Sequence, residues 1–178
     1  LVKFIEFPAP RVQFQAVWAL ANLCLYDEQA RVEIHDAGGT KTLLDNFYKQ
    51  QVPVQLETLA ALANLSLSQP VAEALVRRYN CLAFLMDLIG SKKMKHSLFA
   101  LICLCNLSKR EMFREQIRYS YGIESIISCL MSHDYNKRKF GALALSNMAL
   151  SSSEDIETVF QTRGLIERIV KMAKRKEV

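Results

Sequence analysis

The residues able to do covalent or metal chemistry are few and scattered. His35, His96 and His133 lie far apart, with no two placed four residues apart on one helix face and none in a cysteine or carboxylate cluster. Zinc binding and nucleophile–base catalysis both need such convergence, so all three read as isolated surface histidines. Cys24, Cys81, Cys103, Cys105 and Cys129 are odd in number and form no CxxC pair. Four of them fall on apolar positions of helical patterns, where a thiol behaves as a small hydrophobe. They suit a reduced, cytoplasmic protein. Gly38–Gly39 belongs to no GxxxxGK or GxGxxG sequence. The expectation is a non-enzyme with no catalytic residue, no metal, no cofactor and no small-molecule substrate.

What does recur is a carboxamide. Asn22, Asn64, Asn106 and Asn147 are separated by 42, 42 and 41 residues. Each sits in a related word: VQFQAVWALANLCL at 12–25, LAALANLSL at 59–67, FALICLCNLS at 99–108 and ALALSNMALS at 142–151. An asparagine side chain both donates and accepts, so an exposed row of them can hold an extended backbone by two hydrogen bonds per rung. The competing reading is structural: each amide bonds the end of a neighbouring helix.

Such a row needs elements to carry it. In the first word Val12, Ala16, Val17, Leu20, Ala21, Leu23 and Cys24 recur at three- and four-residue steps, the period of a helix buried along one side. At about 100° per residue, Arg11, Gln15 and Trp18 share the face of Asn22, while the apolar set turns toward a core. A fixed period near 40 marks a solenoid of stacked helical units. Stacking lays the four asparagine faces side by side along a concave groove. A second ladder, Gly39, Asn80, Gly122 and Gly164, is spaced by 41, 42 and 42 residues and marks pivots between two shorter helices in each unit.

The long third helices are expected near 12–25, 53–67, 93–108 and 137–150. Shorter ones are expected over 28–36, 40–48, 70–79, 82–89, 111–119, 123–131, 156–162 and 165–174. Leu1–Phe7 reads as the tail of a helix ended by Pro8 and Pro10. The whole reads as one all-α domain: a partial repeat over 1–26, repeats over 27–68, 69–109 and 110–150, and an incomplete repeat or cap over 151–178. The chain begins at Leu1, not methionine, and reads as a piece that enters partway through a repeat. No apolar run reaches the ~20 residues that cross a bilayer.

The phrase VQFQAVWALANLC resembles the third helix of armadillo repeats, most closely the type found in importin-α and β-catenin-like proteins, and the two ladders extend the resemblance over nearly the whole chain. It implies a right-handed superhelical solenoid of about three full repeats with partial repeats at both ends. It also implies that the third-helix asparagines hold a bound peptide. Importin-α pairs each asparagine with a tryptophan four residues earlier, so that lysine stems stack between indole rings. Here only Trp18 fits; the equivalent positions are Ala60, Ile102 and Leu143. Seven residues before the asparagines stand Gln15, Glu57, Phe99 and Phe140. The bed for a basic signal peptide is therefore lost after one rung. Phe99, Ile102, Phe140 and Leu143 are expected to form an apolar patch beside Asn106 and Asn147, unless helix phase turns them into the core.

Charge sharpens the partner. Residues 1–88 carry a net charge of −2, and residues 89–178 carry +7. Lys92, Lys93, Lys95, Arg110, Lys137, Arg138 and Lys139 form an expected basic rim around the apolar patch. An apolar patch with a charged rim suits another protein, here an extended or helical segment with apolar anchors and acidic flanks. No nucleic acid is expected, because the basic residues lack interleaved aromatics. The leading reading is a cytoplasmic protein-binding adaptor or scaffold. The alternatives are a nuclear-transport receptor of importin-α type and a short armadillo-repeats-only scaffold that positions organelles. The latter would lie on the cytosolic face of a membrane, tethered by a lipid anchor outside the visible chain.

Overall fold

Prolines and aspartates set many of the helix starts. The structure is a computed structural model that describes residues 1–150, 157, 161 and 164–174. Among the described residues there are helices and no strand. Helix α1 (Pro10–Tyr26) opens on Pro10, where a missing N–H leaves no bond unmade. This corrects the expected helix tail: Val2–Glu6 is a 3₁₀ turn, and Pro10 begins the next element instead of ending the previous one. Asp27 then caps α2 (Glu28–Asp36), its Oδ1 accepting from the amide of Gln29 at 2.9 Å. Helix α3 (Gly39–Asn46) runs into a 3₁₀ turn at Phe47–Lys49, and α4 (Val52–Leu65) follows with Pro53 in its first turn.

The next unit contains α5 (Gln69–Glu73), α6 (Cys81–Gly90) and α7 (Met94–Ser108). Its first helix does not continue as an α-helix to Tyr79; it widens into a π turn over Ala74–Arg78, closed by the Tyr79 amide on the carbonyl of Ala74 at 3.0 Å. Helices α8 (Glu111–Tyr119), α9 (Gly122–Leu130) and α10 (Tyr135–Ala149) complete a further unit, with Asp134 capping α10 through the Lys137 amide at 2.8 Å. Helix α11 (Leu165–Lys174) belongs to the last unit. Of the helix expected over 156–162 only Glu157 and Gln161 are among the described residues; both are helical, and Gln161 Nε2 donates to Glu157 Oε1 at 3.1 Å.

The pivot ladder divides into two different tasks. The residues with left-handed backbone are Gly38 (φ 81°), Asn80 (48°), Tyr121 (59°) and Gly164 (75°), so at two rungs the turn is one residue earlier than expected. Gly39 and Gly122 serve close approach instead. A Cβ on Gly39 would lie 2.7 Å from the Ile34 carbonyl oxygen, and one on Gly122 would lie 2.6 Å from that of Ile117. The two short helices of a unit can cross tightly only where that carbon is absent.

The third helices stack in order, α1 on α4, α4 on α7 and α7 on α10. Val17, Leu20, Leu59, Leu62, Leu101, Leu104, Ala144 and Met148 fill the continuous core between them and the shorter helices. All five thiols are buried within it. Desolvation pushes Cys24 and Cys129 up to about 11 and Cys103 up to about 12, so they pack as neutral thiols. His96 is not a surface histidine: it is 3% exposed, at the buried start of α7. Gln55 donates its Nε2 to the carbonyls of Phe47 and Gln50, both at 3.1 Å, so its Oε1 accepts from His96 Nε2 at 2.9 Å. That bond ties the start of α7 to the start of α4.

Candidate functional site

The asparagine face follows from helix phase. On α1, Ala16, Val17, Leu20, Ala21 and Cys24 are buried while Arg11, Gln15, Trp18 and Asn22 are exposed, Trp18 at 49%. On α4 the same face shows Glu57 and Asn64, half-buried between the flanking helices. On α7 it shows exposed Lys95 and half-buried Phe99, Ile102 and Asn106. On α10 it shows half-buried Phe140 and Asn147 with Leu143, 45% exposed, between them. One solvent-reaching strip therefore crosses four stacked helices.

Three rungs of the ladder are joined by their own amides. Asn64 Nδ2 donates to the Ala21 carbonyl at 2.8 Å, and Asn106 Nδ2 to the Ala63 carbonyl at 2.9 Å. Asn147 Nδ2 donates to the Cys105 carbonyl at 3.3 Å and to Ser108 Oγ at 3.0 Å. In each case the acceptor carbonyl is that of the residue just before the preceding asparagine. A carbonyl can only accept, so the amide orientation is chemically determined. The structural role weighed from sequence is real, and it leaves Oδ1 and, on Asn64 and Asn106, one Nδ2 hydrogen for anything else. Asn22 makes no such bond among the described residues.

The phenylalanines resolve the choice between patch and core by taking part in both. Phe99, Ile102 and Phe140 each pack one side against the core and leave the other side accessible. Lys139 holds its Nζ 6.0 Å from the centroid of the Phe140 ring. Glu57 is the one acidic residue of the strip. Burial pushes its carboxyl above the usual carboxylate range, and it has no cationic partner among the described residues.

The expected basic rim is not one rim. The third helices run parallel and in step, pinned by His96–Gln55 at one end and by Asn106–Ala63 at the other. Lys92, Lys93, Lys137, Arg138 and Lys139 lie at their N-terminal ends, whereas Arg110 follows the C-terminal end of α7. Arg110 reaches back to the end of α4, donating to the carbonyls of Ser66, at 3.1 Å, and Leu67. Arg138 donates to the His133 carbonyl at 2.8 Å. Both guanidiniums close helix ends and turns, as buried Arg31 does at the end of α1 through the carbonyls of Cys24, at 2.7 Å, and Leu25, at 3.0 Å. Lys92, Lys93 and Lys139 are exposed and Lys137 is half-buried.

Sequence reasoning missed the hollows at the beginning of the strip. A cleft of about 430 Å³ lies between the starts of α1 and α4, lined by Arg11, Phe14, Gln15, Gln51 and Pro53. A second, of about 380 Å³, is lined by Leu1, Phe4, Val12 and Ala16 together with Arg11 and Gln15. The pairing of α1 with α4, about 40 residues further on, creates the first, and the 3₁₀ turn at Val2–Glu6 folded against α1 creates the second. Among the described residues no group of three histidine, cysteine or carboxylate side chains is placed to hold a metal ion.

Known proteins place this geometry. The model of the Armadillo/beta-catenin-like repeat matches residues 1–25, which include the first asparagine word. No curated protein matches the sequence. A crystal structure of an engineered protein is 26% identical and superposes with a TM-score of 0.84, covering 96% of this chain and 69% of its own. Computationally designed armadillo repeat proteins for modular peptide recognition superpose at 0.84 with 17% identity, over 96% of this chain and 72% of theirs. A designed armadillo repeat protein in complex with the peptide (KR)4 reaches 0.86 at 16% identity, over 97% and 72%. The fold is the right-handed armadillo solenoid that the resemblance implied.

Proposed function

We propose that this armadillo-repeat solenoid is a protein-binding scaffold that holds a segment of a partner protein along the strip crossing α1, α4, α7 and α10. The observation that carries the reading is the change of chemistry along a strip whose backbone is held by its own asparagines. Trp18, Gln15 and Glu57 make its beginning polar and aromatic; Phe99, Ile102, Phe140 and Leu143 make its end apolar beside lysines that form no ion pair among the described residues. A segment with apolar anchors and acidic flanks complements that end. Asn64 and Asn106 retain hydrogen-bonding capacity for its backbone. The designed relatives that recognise peptides lend the fold-level support.

Import-signal binding is the weaker reading, favoured by Trp18–Asn22 alone. Selection of peptides from a random library tests the proposal. Enriched sequences should combine apolar and acidic residues and lose at least about tenfold in affinity for Leu143→Asp, which puts a charge beside the anchors. Failure to enrich any sequence, or equal binding to Leu143→Asp, would sink it. Cytoplasmic residence belongs to the same proposal and is tested by imaging the tagged protein in cells.

A further inference from the structure

A second ladder runs along the edge formed by the N-terminal ends of the third helices. Val52, Met94 and Tyr135 each occupy the first position of α4, α7 and α10, twelve residues before Asn64, Asn106 and Asn147. They are 51%, 53% and 45% exposed. Neither helix propensity nor the core asks for them there: a first turn in water favours polar and acidic residues or proline, and these side chains are half in solvent. Tyr48 and Met131, each sixteen residues before an asparagine, stand exposed on the same edge. Because the helices are in step, the three first-position residues form a line with one member per repeat.

Lysines surround this line. Lys49, Lys92, Lys93, Lys95 and Lys139 are exposed, and none is ion-paired among the described residues. The acidic residues nearby are already engaged: Asp87 accepts from the Tyr48 hydroxyl at 3.3 Å, and Asp134 caps α10. We propose that this edge docks peripherally on an anionic membrane surface, with Val52, Met94 and Tyr135 entering the interface and the lysines meeting lipid phosphates and carboxylates. Tyrosine and lysine are at home at the headgroup level, and valine and methionine just beneath it. A row of single apolar side chains, one per repeat and alternating with cations, fits a flat surface; the strip on the groove face fits a chain crossing the helices. No single described helix is long and apolar enough to cross a membrane, so the contact is an interfacial one. The proposal does not rest on the groove reading. Apart from Lys49 the lysines are shared with the groove's rim, but the apolar line is not, so variants of the line separate the two.

Sedimentation with phosphatidylcholine vesicles, with or without about 30% phosphatidylserine, at about 0.15 M salt tests it. The full chain should bind the anionic vesicles and not the neutral ones. Val52→Ser/Met94→Ser/Tyr135→Ser should weaken partitioning at least about tenfold at unchanged net charge, and Lys92→Glu/Lys93→Glu/Lys95→Glu should abolish it. Binding of the apolar triple variant equal to the parent would overturn the proposal, since net charge alone would then be responsible. Absence of vesicle binding, together with binding of an acidic peptide that depends on the same three residues, would also overturn it and make the edge a protein site. Circular dichroism checks the fold of each variant. Should the triple variant misfold, Met94→Trp in a Trp18→Phe background replaces it, because Trp18 is the chain's one tryptophan. Its emission should shift to the blue on anionic vesicles, and an unshifted spectrum overturns the proposal.

Discussion

The two ends of the groove strip are built from the same helix position and behave differently. At the beginning, Gln15 and Trp18 stand off the core on α1, and Asn22 bonds nothing among the described residues. At the end, Phe99, Ile102 and Phe140 are packed into the scaffold, and Asn106 and Asn147 join one helix to the next. The first rung is therefore free to vary without touching the fold, while the later ones serve recognition and stability together. Equivalent positions in a repeat array share geometry; neighbours decide what that geometry carries.

The largest effect expected from this contrast is on stability. Replacing both Phe99 and Phe140 with serine should cost about 3–5 kcal/mol in total, because half of each ring leaves the core. Gln15→Ser/Trp18→Ser should cost less than about 1 kcal/mol. Chemical denaturation of the two double variants checks this, and equal midpoints would erase the distinction. Any binding test at the apolar end is therefore better made with Leu143, whose exposure separates affinity from folding.

A smaller effect divides the asparagines. Asn106→Ala should lose about 1 kcal/mol, the net worth of one hydrogen bond, because the Ser66 hydroxyl still donates to the Ala63 carbonyl at 2.6 Å. Asn22→Ala should stay within about 0.5 kcal/mol, the range of an ordinary surface substitution. Equal losses in the two variants would mean that the inter-helix bond contributes nothing.

Two titratable groups sharpen the contrast by pH, with opposite signs. Burial raises the Glu57 carboxyl, so folding favours its protonated form and the charged form opposes folding at neutral pH. Glu57→Gln should raise the melting temperature slightly at pH 7, and the gain should vanish as pH falls through the folded-state pKa toward 4.5. His96 is lowered, first by burial and then by Lys93, so its contribution is complete above 6.5 and is lost as pH falls below that value. A His96→Gln melt that ran parallel to the parent across that window would contradict the assignment.

The smallest expected signal is binding of a lysine-rich import peptide. One tryptophan–asparagine rung makes too short a bed, so a fluorescence titration using Trp18 should give an affinity weaker than about 10 μM, that is, less than about 7 kcal/mol of binding free energy. Sub-micromolar binding would show that the beginning of the strip suffices by itself.

What the sequence determined by itself is what repeats locally. The spacing of Asn22, Asn64, Asn106 and Asn147, the three- and four-residue steps around them, and the prolines and aspartates at helix starts were enough to establish the helices, their stacking and the face they share. The steps and the helix starts arise within one or two turns of chain, where backbone geometry alone links residue to residue, and the asparagine spacing is that local pattern repeated. The tertiary structure decided everything that depends on a neighbour about 40 residues away. It turned the asparagine Nδ2 groups toward Ala21, Ala63 and Cys105, buried His96 against Gln55, and drew Arg110 back to the end of α4. It also divided the pivot into a left-handed residue, Gly38 or Tyr121, and a close-approach glycine, Gly39 or Gly122. The periodicity assigns a residue to a face; the next helix decides how much of it remains in water and which of its atoms are already bonded.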